Sequence, residues 1–320
     1  IDVYGLGSVK KSMRDFVDYL NFMNERKKMG LKSSEGLAIN AVFLGNPGTG
    51  KTTVARVVGD IFKAMKILPK GHIVEVDRSA LVGQYVGETA QKTEKIIEEA
   101  MGGVLFVDEA YTLIKPGGGG QDFGQEAIDI LLKRMEDKKG EFVVIAAGYP
   151  DNMEEFLSSN PGMKSRFTHF FNFEDYSPDE LLDIINLFLK KEEYKISDEA
   201  KELLNKEFIN LYRGRDKTFG NGRLARKYFE DAKMQLSRRV IKLDDKEKTK
   251  EAMTTITAED INSILSADVE KEVKLPINEE LLQEGLDALN NLTGLGSVKK
   301  DIGDMVKLAR YYIEQGEDVK

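Results

Sequence analysis

Short apolar runs alternate with helical patterns between residues 39 and 147. The runs NAVFLG, HIVEV, GVLFVDEA and FVVIAAG have the length of buried strands, and helical segments separate them. In the first of these segments, apolar residues recur at helical spacing; they are Val54, Val57, Val58, Ile61, Phe62 and Met65. Because buried strands alternate with helices, the pattern predicts an α/β fold with a parallel sheet covered by helices on both faces.

Helix punctuation replaces this pattern after about residue 176. In SPDE, Ser177 is suited to cap a helix, Pro178 to take its first position, and Glu180 to close a capping box. Ser197 and Thr257 precede two further helical segments. The sequence therefore predicts a second, helical domain.

Composition excludes several classes of partner for this chain of 320 residues. The formal net charge is -8, so there is no overall basic field that would attract nucleic acid. No apolar run reaches the ~20 residues that a membrane span needs. The chain has no cysteine, which excludes a thiolate metal site and is typical of the reducing cytoplasm. We therefore expect a cytoplasmic protein that binds neither nucleic acid nor membrane.

The most specific motif is GNPGTGKTT at residues 45–53, which matches the phosphate loop G-x-x-x-x-G-K-T. It follows an apolar strand and opens a helix, the context in which backbone N–H groups cradle phosphates. Lys51 is expected to reach the β- and γ-phosphates of a nucleoside triphosphate, and Thr52 to offer its hydroxyl to Mg²⁺. The nucleotide-binding residues predicted in this loop are Asn46, Pro47, Gly48, Thr49, Gly50, Lys51, Thr52 and Thr53.

A second acidic motif lies about fifty residues further on, where GGVLFVDEA ends an apolar strand with two carboxylates. It resembles a Walker B motif. Asp108 is expected to hold Mg²⁺ with Thr52, and Glu109 to orient and activate the water that attacks the γ-phosphate. Together with the phosphate loop, this pair predicts hydrolysis of a nucleoside triphosphate rather than mere nucleotide binding.

These motifs resemble the AAA+ superfamily. GNPGTGKTTVAR, GHIVEVDRSALVGQYVGET, GGVLFVDEAYTL and SSNPGMKSRF are similar to its branch that contains red-type Rubisco activase (CbbX), stage V sporulation protein K and ATPases of type VII secretion, over residues 1–265. The resemblance implies a P-loop NTPase αβα sandwich with a parallel five-stranded sheet, followed by a helical lid domain. It also implies ATP and Mg²⁺ as cofactors and a homo-oligomer, a hexameric ring, that acts on a protein substrate.

The resemblance assigns further residues to the nucleotide site. Tyr4 and Gly5, in the opening DVYG, are similar to the segment that borders adenine. Arg223, in FGNGR, resembles the sensor 2 arginine that contacts the nucleotide in the same subunit, and Arg226, one turn later, is the alternative. We expect these residues to lie around one cleft.

Two other positions of the family pattern, the arginine finger and sensor 1, are matched less directly by this sequence. Arg166, in NPGMKSRF, matches the arginine finger that reaches the γ-phosphate of a neighbouring subunit, and Lys164 stands nearby as a second cation. At the polar sensor 1 position this chain departs from the family, because Gly148 and Tyr149 end the strand. The water-positioning role of the sensor 1 residue then falls to Tyr149 or Asn152, or the positioning of the water is weaker in this chain.

A motor would also need a part that holds its substrate. Tyr85, Val86 and Gly87 are similar to the pore loop with which ring unfoldases grip an extended polypeptide; the alternative is that Tyr85 is a packed aromatic residue. We therefore expect an ATP-hydrolysing motor that remodels or threads a protein substrate. The alternatives are an ATP-dependent assembly switch or scaffold without threading and, less favoured, a small-molecule phosphotransferase.

The sequence GLGSVKK occurs at residues 5–11 and again at residues 294–300. Because its first copy opens the module, its second copy indicates that another module begins there. We therefore expect three segments. These are the large α/β nucleotide-binding domain (1–175), the helical lid (176–266), and a linker with the start of a second, truncated AAA+ module (267–320).

Overall fold

A computed structural model defines residues 6–31, 39–85, 87–114, 123–244, 246–271, 279–291 and 296–315. The chain divides into two compact units, Ile1–Ile264 and Leu265–Lys320. The larger unit contains an α/β layer structure followed by a helical region, in the order that the sequence predicts.

Five parallel strands form one sheet in the order β2-β3-β4-β1-β5. The strands are β1 (Ala41–Gly45), β2 (Ile73–Val76), β3 (Val104–Val107), β4 (Val143–Gly148) and β5 (His169–Phe173). The first four coincide with the apolar runs of the sequence. The edge strand β5 pairs only with β1 and buries only Phe171 and Phe173, because alternate side chains of a strand face opposite sides.

Helices cover both faces of this sheet and confirm the αβα sandwich. Val42 and Leu105 belong to a core that is closed by helices on one face. Phe43, the next residue along β1, points to the other face and packs on Phe171, which Phe16 also contacts. The helices are α1 (Gly7–Lys28), α2 (Lys51–Ala64), α3 (Arg78–Leu81), α4 (Glu88–Ala100), α5 (Phe123–Asp137), α6 (Pro150–Ser158) and α7 (Pro161–Arg166), with a 3-10 turn at Ala110–Leu113.

The helical region begins with the predicted caps. The Ser177 hydroxyl and the Glu180 carboxylate accept hydrogen bonds reciprocally in a capping box, and Pro178 is the first helical residue. The Ser197 hydroxyl accepts from the backbone N–H of Ala200. The elements are α8 (Pro178–Lys191), β6 (Lys195–Ile196), α9 (Asp198–Arg213), α10 (Gly222–Ile241), α11 (Lys250–Thr254), β7 (Thr255–Ile256) and α12 (Ala258–Lys271). The parallel pair β6–β7 has two residues a strand, too few to give a sequence pattern.

The smaller unit contains the end of α12 and the helices α13 (Glu279–Asn291) and α14 (Gly296–Gln315). Both helices lie within residues 267–320, the segment expected to contain a linker and the start of a second AAA+ module. Among the residues that the structure defines, no helix is both long enough and apolar enough to cross a membrane.

Candidate nucleotide-binding site

A cleft of about 520 Å³ lies where the phosphate loop, the carboxyl end of β3 and the helices α8 and α10 meet. This is the edge of an open parallel sheet at which α/β proteins bind ligands. Loop residues, the acidic pair after β3 and two lid arginines all line it, although they come from three distant parts of the sequence. The structure therefore brings together most of the nucleotide-site residues that the sequence predicts.

The phosphate loop makes a tight turn between β1 and α2. Gly50 caps α2 with a φ of 88°, in the left-handed region that favours glycine. Gly48 has a φ of 72°, and a Cβ there would overlap the carbonyl of Gly220 in the helical region. The loop glycines therefore permit both the turn and a close approach of the lid.

Two predicted loop residues support the loop from behind rather than lining the cleft. The Thr49 side chain is fully buried, and its hydroxyl donates to the Asn46 carbonyl at 2.8 Å. The Asn46 amide donates to the carboxylate of Asp175, with distances of 2.9 and 3.1 Å to its two oxygens. Their side chains thus hold the shape of the loop, while Pro47, Gly48 and the residues from Gly50 onward face the cleft.

Lys51 occupies the centre of the cleft. Its Nζ donates to the carbonyls of Gly45 and Asn46 at 2.9 Å each. Burial lowers the pKa of Lys51; the negative charge of Asp108 opposes this shift, and the guanidinium of Arg223 adds to it. These electrostatic effects require that the lysine, the acidic motif and the lid arginine lie close together.

The acidic pair follows β3 directly. The backbone N–H of Asp108 donates to the Val76 carbonyl at 2.8 Å, and the N–H of Glu109 donates to the Asp108 carboxylate at 3.0 Å. Glu109 has φ 47° and ψ 44°, a left-handed conformation that costs a residue other than glycine about 1–2 kcal/mol. A strained backbone at a residue that lines the cleft supports a functional constraint on Glu109.

A tyrosine that the sequence analysis did not single out contacts this pair. Burial, followed by the charge of nearby Glu109 and a smaller effect of hydrogen bonding to that carboxylate, raises the pKa of Tyr111 to about 12. Its ring centroid lies 5.9 Å from that of Tyr149, which lines the cleft at the sensor 1 position. Asn152, the other sensor 1 candidate, is exposed on α6 and does not line the cleft. The only sequence signal for Tyr111 is its place directly after Asp108-Glu109-Ala110.

The lid contributes two arginines and an apolar wall. Arg223 and Arg226 both line the cleft, but only Arg223 acts on the pKa of Lys51, whereas the Arg226 guanidinium stacks 4.5 Å from the Phe188 ring centroid. This favours Arg223 over Arg226 as the sensor 2 residue. The apolar wall consists of Ile184, Leu187 and Phe188 on α8, and the sequence analysis missed it.

The part of the site expected to border adenine is defined only in part. Tyr4 and Gly5 lie outside the described residues. Leu6, which follows them, is buried, and its Cδ1 would lie 3.7 Å from a Cβ on Gly50. The start of α1 is therefore beside the phosphate loop.

Arg166 does not line the cleft of its own subunit. It ends α7, where its guanidinium donates to the carbonyls of Leu132 at 3.1 Å and Gly162 at 3.2 Å, and lies 3.4 Å from the Glu136 carboxylate. Lys164 is exposed on the same short helix.

The predicted pore-loop segment lies between α3 and α4. Tyr85 is 70% exposed, so its ring is not packed against the described residues of this chain. Gly87 caps α4 with a φ of 86°, and a Cβ there would meet nothing within 4 Å. Val86 lies outside the described residues.

The donor set fits a magnesium ion bound together with phosphates. Thr52 and Asp108 both line the cleft and offer a hydroxyl and a carboxylate. Mg²⁺ prefers oxygen ligands and is usually held by one or two protein groups together with substrate phosphates and water. The described residues contain no cluster of three or more histidines or carboxylates that would hold a metal without the nucleotide.

The sheet order, the phosphate loop, the acidic pair and the helical lid define a P-loop nucleoside triphosphatase. Residues 41–175 match the family described as "ATPase family associated with various cellular activities (AAA)", and residues 177–272 match the AAA lid domain. The chain belongs to this family of ATPases and hydrolyses ATP.

Similar proteins support this assignment. The chain is 40% identical to stage V sporulation protein K of Bacillus subtilis (strain 168) over 81% of this chain and 79% of that protein. It is also 40% identical to protein CbbX of Cereibacter sphaeroides, over 82% of this chain and 84% of that protein. A chloroplastic ribulose bisphosphate carboxylase/oxygenase activase of Cyanidioschyzon merolae is 42% identical over 81% of this chain and 87% of that protein.

Solved structures show the same fold at low identity. The FIGL-1 AAA domain in complex with ADP superposes with a TM-score of 0.56 at 19% identity, over 88% of this chain and 87% of that one. A mutant of Thermotoga maritima RuvB has a TM-score of 0.54 at 20% identity, over 82% of this chain and 70% of that one.

Proposed function

We propose that this protein is an ATP-driven motor that assembles into a hexameric ring and remodels or threads a protein substrate. Family membership establishes the ATPase. The observation that carries the choice of a polypeptide substrate is Tyr85, a large aromatic side chain that is 70% exposed beside a glycine of positive φ. An exposed ring of this kind can intercalate between side chains of any sequence, and Gly87 gives the loop freedom to move.

The catalytic chemistry proposed for the cleft is hydrolysis by a single attacking water. The water oxygen attacks the γ-phosphorus, the bond to the bridging oxygen breaks, and ADP and phosphate leave, while Glu109 receives a proton from the water. Lys51 and Arg223 offset the negative charge on the phosphates. Thr52 and Asp108 would hold Mg²⁺, which would neutralise further phosphate charge.

Arg166 is proposed to act in trans on the nucleotide of the neighbouring subunit. Its position at the end of α7, outside its own cleft, supports this role, because a finger that serves a neighbour must lie at a subunit boundary. The same assignment requires an oligomer in which one subunit completes the site of the next.

The experiment that tests the motor compares Tyr85→Ala with Tyr85→Phe, each combined with Glu109→Gln to trap the ATP-bound form. The probe is fluorescein-labelled casein, an unstructured protein, and its fluorescence anisotropy is measured with ATP and with ADP. We expect ATP-dependent casein binding in the Tyr85→Phe variant and its loss in Tyr85→Ala. Separately, Tyr85→Ala alone should keep its ATPase rate.

An assembly switch or scaffold predicts a different result for casein, because casein binding would then not depend on Tyr85. The ATPase rate should be unchanged by Tyr85→Ala in either case, so casein binding is the measurement that decides. Equal anisotropy changes for the alanine and phenylalanine variants would therefore reject polypeptide threading.

We also propose that residues 267–320 comprise a linker and the start of a second AAA+ module. The proposal is supported by the shared GSVKK that opens both α1 and α14. Val9 and Phe16 are buried in α1, whereas their α14 counterparts Val298 and Met305 are apolar but 43% and 69% exposed. This face of α14 thus repeats the apolar pattern of a buried helix, although these two side chains are exposed.

Hydrogen exchange on the whole chain tests the second proposal. The amides of α14 should exchange at least about 10²-fold faster than those of α1, since amides protected by a packed core open rarely. Equal protection of the two helices would show that α14 already has its own core.

A further inference from the structure

Three consecutive carbonyl groups of the phosphate loop accept hydrogen bonds from groups outside the loop. The pairs are Pro47 O with the Asn221 side-chain amide at 3.2 Å, Gly48 O with the Gly222 backbone N–H at 3.0 Å, and Thr49 O with the Tyr176 hydroxyl at 3.2 Å. Tyr176 lies at the junction between β5 and the lid, and the other two donors lie at the start of α10. The lid and the junction therefore hold the loop on the side opposite to the N–H groups that are expected to bind phosphate.

These contacts bear directly on phosphate binding. In a planar trans peptide the carbonyl and the N–H of the following residue point in opposite directions. When the carbonyls of residues 47, 48 and 49 are held outward, the N–H groups of Gly48, Thr49 and Gly50 are directed away from the lid contacts. A phosphate loop binds its ligand through just such consecutive inward N–H groups.

Asn221 is the most constrained of the three donors. It is 0% exposed and has φ 50° and ψ -124°, a conformation that glycine adopts more readily. Besides the Pro47 carbonyl, Asp175 at 2.8 Å and the Phe219 carbonyl at 3.0 Å accept from its amide, so that three acceptors share two N–H groups. Its Oδ1 accepts from the backbone N–H of Tyr176 at 2.8 Å. These hydrogen bonds account for an asparagine at a strained position where a glycine would fit.

The carboxylate of Asp175 connects the phosphate loop to the lid. Its carboxylate accepts from the Asn221 amide of the lid and from the Asn46 amide of the loop, and lies 3.5 Å from the Arg215 Nε. Only 15% of its side chain is exposed, so these contacts are partly shielded from water. Arg223, which acts on Lys51, follows Asn221 by two residues.

We propose that Asn221 is a positioning residue that holds the peptide groups of the phosphate loop in their phosphate-binding orientation and thereby couples nucleotide binding to lid position. The residue acts through the loop backbone and does not itself touch the nucleotide. Loss of its amide should weaken the binding of any phosphate chain, ATP and ADP alike, while the reacting groups at Glu109 stay unchanged.

The test is Asn221→Gly, which retains the backbone conformation and removes the side-chain amide. Since about two net hydrogen bonds between lid, junction and loop are lost, we expect the KM for ATP and the Kd for ADP to rise roughly tenfold, with kcat at saturating ATP within about twofold. KM and kcat come from steady-state hydrolysis, and the Kd from calorimetric titration with ADP.

Glu193→Gly is the matched control. Glu193 is also a non-glycine residue of positive φ in the lid, with φ 58°, but it is exposed. We expect its KM, Kd and kcat to equal those of the unaltered protein. This control separates the loss of the amide from the effect of adding a glycine to the lid.

Tyr176→Phe provides a second variant that removes one hydroxyl and no packing volume. It should also raise the KM for ATP and the Kd for ADP, but by a smaller factor than Asn221→Gly does. If Asn221 were only structural, its glycine variant would melt at a lower temperature, and the folded fraction would keep its KM and Kd. Unchanged nucleotide affinity in folded Asn221→Gly and Tyr176→Phe proteins would overturn the proposal, whatever their melting temperatures.

Discussion

The ring centroid of Tyr111 lies 5.9 Å from that of Tyr149, at an interplanar angle of 57°. The charge of Glu109 and hydrogen bonding to it add to the effect of burial, which raises the pKa of Tyr111 to about 12. The tyrosine pair occupies the end of β4, where the sequence offers Gly148 instead of a polar side chain. A Cβ at Gly148 would lie 2.8 Å from the Tyr111 ring, so the glycine leaves room for the tyrosine. Tyr111 thus occupies the space beside Gly148, where the polar side chain of a sensor 1 residue would be expected.

Tyr111→Phe should lower the rate of hydrolysis without weakening ATP binding. The change removes the hydroxyl that contacts Glu109 and keeps the ring against Tyr149 and Gly148. Because a hydrogen bond to a charged group contributes about 1.5–3 kcal/mol, kcat should fall roughly 10- to 100-fold while KM stays constant. Steady-state kinetics measure both quantities.

Tyr149→Phe is the control for this prediction, because it removes the hydroxyl of the other ring. We expect a smaller loss of kcat, since the pKa of Tyr111 records a hydrogen bond to Glu109. If Tyr149→Phe lowers kcat more than Tyr111→Phe does, Tyr149 is the residue that positions the water.

Glu109→Gln should bind ATP normally and hardly hydrolyse it. The amide keeps the size of the side chain but cannot accept the proton of the attacking water, so hydrolysis should fall by at least about 10²-fold. Lys51→Ala should instead lose nucleotide binding. Calorimetric titration with ATP and a phosphate-release assay separate the two effects, and full turnover by Glu109→Gln would contradict the assignment of the base.

Local patterns were sufficient to predict the first four strands of the sheet, the phosphate loop and the helix caps. An apolar run of strand length, or a serine three residues before a glutamate, is determined by neighbours in the sequence. The strand β5 shows where this fails, because an edge strand alternates buried and exposed side chains and its apolar signal is diluted. The family resemblance implied a fifth strand but gave neither its residues nor its place in the sheet.

The residues that support the nucleotide-binding site could not be predicted from local patterns. Asn46 and Asp175 are 129 residues apart, and Asn221 is a further 46 residues from Asp175. No periodicity relates residues that meet only after the domains have folded. Ile184 and Phe188 were missed for another reason, because an amphipathic pattern does not distinguish a side chain that packs in a core from one that lines a cleft.

Stability should decline at high pH because of a buried phenol. Burial, with a smaller effect of the Glu180 charge, raises the pKa of Tyr176 from 10.0 to about 12. The folded state therefore retains a proton that the unfolded chain loses above pH 10. The stability from this group is full below pH 10 and is lost as pH rises through 12.

Tyr176→Phe removes this titration. Its free energy of unfolding in urea should fall less steeply between pH 10 and pH 12 than that of the unaltered protein. Tyr85→Phe, at an exposed position, is the control for the loss of a phenol hydroxyl. Parallel pH profiles for the unaltered protein and Tyr176→Phe would show that the folded and unfolded states bind this proton equally.

Arg166→Ala and Lys51→Ala subunits should be inactive separately and partly active when mixed. In a ring, an Arg166→Ala subunit with an intact cleft receives the arginine of a neighbouring Lys51→Ala subunit, which completes one site. For random mixing at equal amounts, about a quarter of the activity of the unaltered protein should return, because half of the clefts are intact and half of those have a neighbour with Arg166. In a parallel mixture, Lys164→Ala, on the same helix, replaces Arg166→Ala. If Lys164→Ala subunits alone are inactive, and only their mixture with Lys51→Ala subunits recovers activity, the arginine-finger role belongs to Lys164. If neither mixture recovers under conditions where light scattering shows rings, the cation acts within its own subunit, and the contacts of Arg166 with Leu132 and Glu136 are structural.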